Sequence, residues 1–175
     1  MNVEKELVES KNLLFTIPGN SYQSTSLDII KQLANKKVAY VSLNKTYSSL
    51  IDYLKKENID SSNFKFLDGI SKTIRLIKEN EPSLFVSYPG ALGEIELEIM
   101  KLLTTGAEIL VFDSITSLSI YQDDNAIEQF LSKLISRITE LKKKSIFFIV
   151  KTENQQGLID ESSVFFDKVI DTNLI

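Results

Sequence analysis

Leu13-Leu14-Phe15-Thr16-Ile17, running straight into Pro18-Gly19-Asn20-Ser21-Tyr22-Gln23-Ser24-Thr25-Ser26, is the stretch on which the fold turns. Its first five residues are apolar except Thr16, as expected of a strand buried on both faces. The next nine are turn-forming and polar. Leu27, Ile30 and Leu33 then recur at helical spacing, which predicts a helix over Thr25–Asn35.

The same grammar repeats along the chain. Apolar, β-branched and aromatic runs at Val38–Leu43, Phe64–Leu67, Leu84–Tyr88, Ile109–Phe112, Ile146–Val150 and Val169–Ile170 predict further strands. Helical periodicity marks Thr46–Glu57 and, most clearly, Asn125–Lys143. In the latter Ile127, Phe130, Leu131, Leu134, Ile135, Ile138 and Leu141 form one stripe, Asn125 and Glu128 stand at capping-box spacing, and Lys142–Lys144 sit where cations favour the helix dipole. Glu94-Ile95-Glu96-Leu97-Glu98-Ile99 alternates like an exposed strand. Ala91–Thr105 has no turn signal, however, and is long for a strand, so it is read as helix. Strands alternating with helices imply a three-layer α/β/α fold around a mostly parallel sheet. Its 175 residues suit one domain, 1–175, with residues 1–12 as an N-terminal helix or extension.

Composition narrows the chemistry. The chain has no Cys and no His, so disulfides, thiolate or imidazole metal ligands, Ser-His-Asp hydrolysis and Cys-His catalysis are excluded. Twenty basic against 24 acidic residues, without a basic block, disfavour nucleic-acid binding. No apolar run approaches the roughly 20 residues of a membrane span. The polar opening Met1-Asn2-Val3-Glu4-Lys5-Glu6 lacks the pattern of a signal peptide, which gives a cytoplasmic expectation.

In open parallel sheets ligands bind beyond the carboxyl ends of the strands. After the first strand, Gly19, four residues, then Ser24-Thr25-Ser26 keep the spacing of a phosphate-binding loop. Its second Gly is replaced by Ser24 and its Lys by Thr25. Glu108-Ile109-Leu110-Val111-Phe112-Asp113-Ser114 forms a Walker-B-like strand, whose Asp113 would orient magnesium, unless it is a turn or helix cap.

Taken together, the strand–Pro18-Gly19–helix opening, Tyr40-Val41-Ser42-Leu43, Phe112-Asp113-Ser114 with Thr116 and Leu118, and Phe166-Asp167-Lys168-Val169-Ile170 resemble the RecA superfamily. They are most similar to its archaeal KaiC-like branch, and the resemblance runs from about Leu13 to Ile175. Active members carry a phosphate-loop Gly-Lys, absent at Ser24-Thr25, and paired glutamates after the second strand, where this chain has Asn44 and Lys45. The resemblance therefore implies a non-catalytic relative acting as a regulatory or protein-interaction module, with no catalytic residue, metal site or cofactor. Gly19, Ser24, Thr25, Ser26 and Asp113 would be its vestigial nucleotide site, and its partner a protein, either a KaiC-like paralogue or the chain itself. The alternative is a divergent nucleotide-binding protein or weak ATPase. In that case ATP and magnesium would bind at the same residues, with Lys45 and Lys151 supplying charge.

Three other groups attract attention. Glu94, Glu96 and Glu98 read as a solvated face, and Asp123-Asp124 as helix-start acids. Tyr22, Tyr47, Tyr88 and Tyr121 fall at strand ends, as docking aromatics or as rings packed on their own scaffold. Gln155-Gln156-Gly157 reads as a flexible loop.

Overall fold

The computed structural model describes residues 1–174; Ile175, the last residue of the resemblance, lies outside them. Seven strands form one sheet: β1 Asn12–Pro18, β2 Val38–Ser42, β3 Phe64–Asp68, β4 Leu84–Phe85, β5 Ile109–Asp113, β6 Lys144–Lys151 and β7 Lys168–Asp171. Their order is β4-β3-β2-β5-β6-β1-β7, and every pairing is parallel. The expected α/β/α architecture is therefore present.

Helices cover both faces because strand side chains alternate. Leu13, Phe15 and Ile17 of β1, Tyr40 of β2 and Phe148 of β6 pack with α1 (Val3–Glu9), α2 (Tyr22–Gln32) and α3 (Tyr47–Lys56). Leu14, Val41, Phe112 and Phe147 pack on the other side with α5 (Leu92–Thr104), α7 (Asp124–Glu140) and α8 (Gln156–Ser162). Short helices α4 (Ser71–Ile74) and α6 (Ile115–Leu118) follow β3 and β5 at the carboxyl edge. Residues 1–12 contain the helix α1, whose Val3 and Leu7 are buried.

Several boundaries differ from expectation, each for a local reason. Helix α2 begins at Tyr22, three residues before Thr25, because the Ser21 N–H turns back onto the Pro18 carbonyl (3.1 Å) and starts the helix early. Strand β4 stops at Phe85: the Ser87 N–H leaves the sheet and donates to Glu94 at 2.9 Å. Helix α7 is capped by Asp123, whose carboxylate accepts the Ala126 N–H at 2.8 Å, instead of by Asn125. Gln156 and Gly157 open helix α8 and form no loop. The Ala91–Thr105 segment is helical, as its length predicted.

Candidate functional site

The carboxyl edge of the sheet is built around Asp113, the last residue of β5. Its backbone follows Phe112, which faces α5 and α7, so alternation turns the Asp113 side chain toward α2 and α3. It is 3% exposed, and three side chains converge on it. The Tyr22 hydroxyl and the Asn44 amide (2.8 Å) donate to Oδ1, and the Tyr40 hydroxyl donates to Oδ2 at 2.6 Å. Each donor comes from a different element: the first residue of α2, the middle of β2, and the turn after β2.

These donors are held firmly. Tyr40 is fully buried, and its ring lies 6.0 Å from that of Phe66. The Tyr22 ring meets Phe148 edge-on at 6.3 Å. Burial, and after it the negative charge of Asp113 and the hydrogen bond to it, raise both phenols well above their ordinary value. Both therefore remain neutral donors at any physiological pH. A carboxylate accepting three such bonds has few lone pairs left to offer.

The other residues singled out for this site lie elsewhere. Gly19, Asn20 and Ser21 alone separate β1 from α2, so Ser24, Thr25 and Ser26 sit within the helix. The Thr25 N–H donates to the Ser21 carbonyl at 2.9 Å, Ser24 Oγ to the same carbonyl at 3.0 Å, and Ser26 Oγ to the Gln23 carbonyl at 3.2 Å. Among the described residues no hydrogen bond joins any of them to Asp113. A Cβ placed on Gly19 would meet only Val150 Cγ1, at 3.7 Å, so nothing at this position requires glycine. Lys45 lies over the ring of Tyr53 at 5.8 Å, and Lys151 pairs with Asp171, so neither is directed at Asp113.

A second buried acid went unnoticed in the sequence because the apolar run Phe64–Leu67 stops one residue short of it. Asp68 is fully buried; it accepts the N–H groups of Tyr47 (2.6 Å), Ile70 (2.7 Å) and Ser71 (2.8 Å), and the Ser71 hydroxyl. Glu96 also departs from expectation. It is buried between α5 and α7 and pairs with Arg137 and, at 3.0 Å, Lys133. Burial alone would raise its carboxyl, but the bonds from Arg137 and Lys133 outweigh that and lower it. Of the four tyrosines, Tyr22 and Tyr47 open helices and pack inward, Tyr47 against Phe66 at 5.3 Å. Tyr88 and Tyr121 form an edge-on pair at 5.9 Å and remain 41% and 45% exposed.

The fold has a structural counterpart. The crystal structure of a KaiC-like protein from the hyperthermophilic archaeon Pyrococcus horikoshii OT3 superposes with a TM-score of 0.67. The match covers 92% of this chain and 70% of that one, at 15% identity. The fold is KaiC-like. No family model matches the chain, and no curated protein matches it. The all-parallel seven-stranded sheet with helices on both faces matches that KaiC-like, RecA-type fold. At this identity it speaks to architecture alone. No helix among the described residues is long and apolar enough to cross a membrane.

Proposed function

We propose that the chain is a non-catalytic, pseudo-ATPase KaiC/RecA-like domain, acting as a regulatory or protein-interaction module in an archaeal type of cell. One observation carries this reading: the Asp113 carboxylate is filled by Tyr22, Tyr40 and Asn44 of the chain itself. In a working nucleotide site of this fold the corresponding acid orients magnesium and its water. Here a metal ion would first have to displace two phenols and an amide, one of the phenols fully buried.

Two further features support the reading. A phosphate-binding loop needs several free backbone N–H groups around the phosphates and a lysine reaching them. This chain has a three-residue connection, an early helix start, and Thr25 in the lysine position. Magnesium-ATP therefore does not fit the residues present, and Gly19, Ser24, Thr25, Ser26 and Asp113 are read as the remains of a nucleotide site. The interaction half of the reading is supported by the exposed Tyr88–Tyr121 pair, because fixed aromatic rings are favoured at protein interfaces. The archaeal assignment is supported by the source of the structural neighbour. The partner is a protein, either a KaiC-like paralogue or a second copy.

Isothermal titration with magnesium-ATP tests the proposal. The expected result is no binding heat at millimolar nucleotide. Micromolar affinity would favour the divergent nucleotide-binding protein or weak ATPase instead, and phosphate release abolished by Asp113→Ala would establish the latter.

A further inference from the structure

Tyr88 lies in the turn between β4 and α5, and Tyr121 between α6 and α7, yet the fold brings them into contact and holds them there. Gly90 is buried against both: a Cβ there would fall 2.7 Å from Tyr88 Cε2 and 2.5 Å from Tyr121 Cβ, so glycine is what lets the two turns close. The Gln122 amide donates to the Gly90 carbonyl at 2.8 Å, and the Leu92 N–H to the same carbonyl at 2.9 Å. The Tyr121 N–H is bound to the Leu118 carbonyl at 2.8 Å. Both rings nevertheless remain open to solvent, and Ile120, next to Tyr121 in the chain, is 76% exposed. Contiguous exposed apolar surface marks a binding site, and one fixed before its ligand arrives loses less freedom on binding.

Charge selects the partner. No basic residue occurs between Lys78 and Lys101, or between Lys101 and Lys133, so both tyrosines lie in stretches whose only charges are acidic. Glu94 accepts the hydroxyl (2.6 Å) and the N–H (2.9 Å) of Ser87, the residue before Tyr88, and these bonds lower its carboxyl. Asp123 and Asp124 follow closely on Tyr121. Asp123 gives one oxygen to the Ala126 N–H, and neither acid has an ion-pair partner among the described residues. The cations of this edge are engaged: Lys45 lies over Tyr53 and Lys151 pairs with Asp171. Lys72 donates to the Phe85 carbonyl at 3.0 Å and offsets part of the Glu94 charge, which leaves Asp123 and Asp124 uncompensated.

Aromatic faces beside carboxylates attract a cation. A guanidinium suits them best, because it is planar, stacks on rings, sheds its water readily and offers forked donors to a carboxylate. We infer that Tyr88 and Tyr121 seat an arginine-bearing basic segment of a different protein, with Glu94, Asp123 and Asp124 meeting its charge. A nucleic acid is the weaker occupant, since its phosphates would face these acids. A second copy is weaker too: the chain has only two arginines, and Arg75 is paired with Glu81 and Arg137 with Glu96. The inference rests on the interaction half of the proposed function and names its partner's chemistry, favouring a paralogue over the chain itself.

Titration of the full chain with an acetylated peptide of alternating arginine and glycine, followed by two-dimensional NMR, tests this. At about 10 mM salt the resonances of residues 88–90 and 119–124 should move together and saturate with Kd below about 1 mM, and at about 1 M salt the shifts should fade. Lysine in place of arginine keeps the charge but loses the stacking plane, and should weaken binding about threefold or more. Tyr121→Ala should weaken it by a similar factor and Tyr121→Phe should restore it, both with unchanged circular dichroism. Asp124→Asn should weaken binding and flatten its salt dependence. No saturable binding, shifts confined to other residues, or equal affinity for the lysine and arginine peptides overturns the proposal. So does preference for a single-stranded oligonucleotide at the same tyrosines, or self-association that Tyr121→Ala abolishes. Magnesium-ATP titration decides Asp113 separately: heat there would sink the pseudo-ATPase reading and leave the peptide result standing, while failure of the peptide leaves Asp113 sealed.

Discussion

Two buried aspartates flank Ser42 at the same level of the sheet: Asp68 of β3 pairs with it from one side and Asp113 of β5 from the other. Their surroundings differ in kind. Three of the four donors to Asp68 are backbone N–H groups, from the start of α3 and the turn into α4. It ties two chain segments to the end of β3 whatever side chains those segments carry. All three donors to Asp113 are side chains, two phenols and an amide. A carboxylate held by backbone is a fixed part of the scaffold. One held by side chains occupies a place where other groups can be substituted, and here the chain has supplied its own.

That difference ranks the expected effects of mutation. Asp68→Ala strands the buried N–H of Ser71 and the half-buried N–H groups of Tyr47 and Ile70, and at about 1–3 kcal/mol each it should cost about 3 kcal/mol or more in denaturant unfolding, enough to threaten folding. Asp113→Ala should cost less, about 2–3 kcal/mol, because half-buried Tyr22 and exposed Asn44 can turn to water while only Tyr40 is trapped. A loss at Asp113 as large as that at Asp68 would break the distinction. Among the donors, Tyr40→Phe should cost about 1.5–3 kcal/mol, the range for a hydrogen bond to a charged group, and Tyr22→Phe less. A double-mutant cycle of Tyr40→Phe with Asp113→Asn should show coupling of about 1 kcal/mol or more.

The raised phenols give a pH dependence of definite sign. In the folded protein Tyr22 and Tyr40 keep their protons above the ordinary tyrosine value, while the unfolded chain loses them. The unfolded state then binds fewer protons, so stability is intact below about pH 10 and falls as pH rises beyond it. Tyrosinate absorbance should show two of the six tyrosines ionising only on unfolding, and Tyr40→Phe should flatten the alkaline loss. If all six titrate together in the folded protein, the buried network is absent.

Glycines sharpen the contrast at the smallest scale. A Cβ on Gly90 would lie 2.5 Å from Tyr121 Cβ and 2.7 Å from Tyr88 Cε2, so Gly90→Ala should cost about 1–3 kcal/mol through overpacking of the tyrosine pair. Gly19→Ala, at the residue that a phosphate loop would need most, should stay within about 0.5 kcal/mol.

Most of the architecture was legible because strands buried on both faces read as unbroken apolar runs, and Asp113 ends one of them. What sealed the site was harder to see. Tyr40 sat inside such a run and looked like another core residue, although its hydroxyl is the most deeply buried donor. Tyr22 read as a loop aromatic because helical periodicity first shows at Leu27, whereas the start of α2 is set by a backbone turn on Pro18 that leaves no apolar signature. Glu96 shared an alternating pattern with Glu94 and Glu98, and only the packing of α7 on α5 brings Arg137 and Lys133 to it.

The central claim is that Asp113 is satisfied by the chain and not by a magnesium nucleotide. A ligand that binds only the folded state raises its stability in proportion to the logarithm of its concentration over Kd, about 2.7 kcal/mol at a hundredfold excess. The melting temperature of the wild-type protein in millimolar magnesium-ATP, set against magnesium alone, therefore tests it most directly. The account predicts no change in Tm; a rise of several degrees that disappears in Asp113→Ala would contradict it.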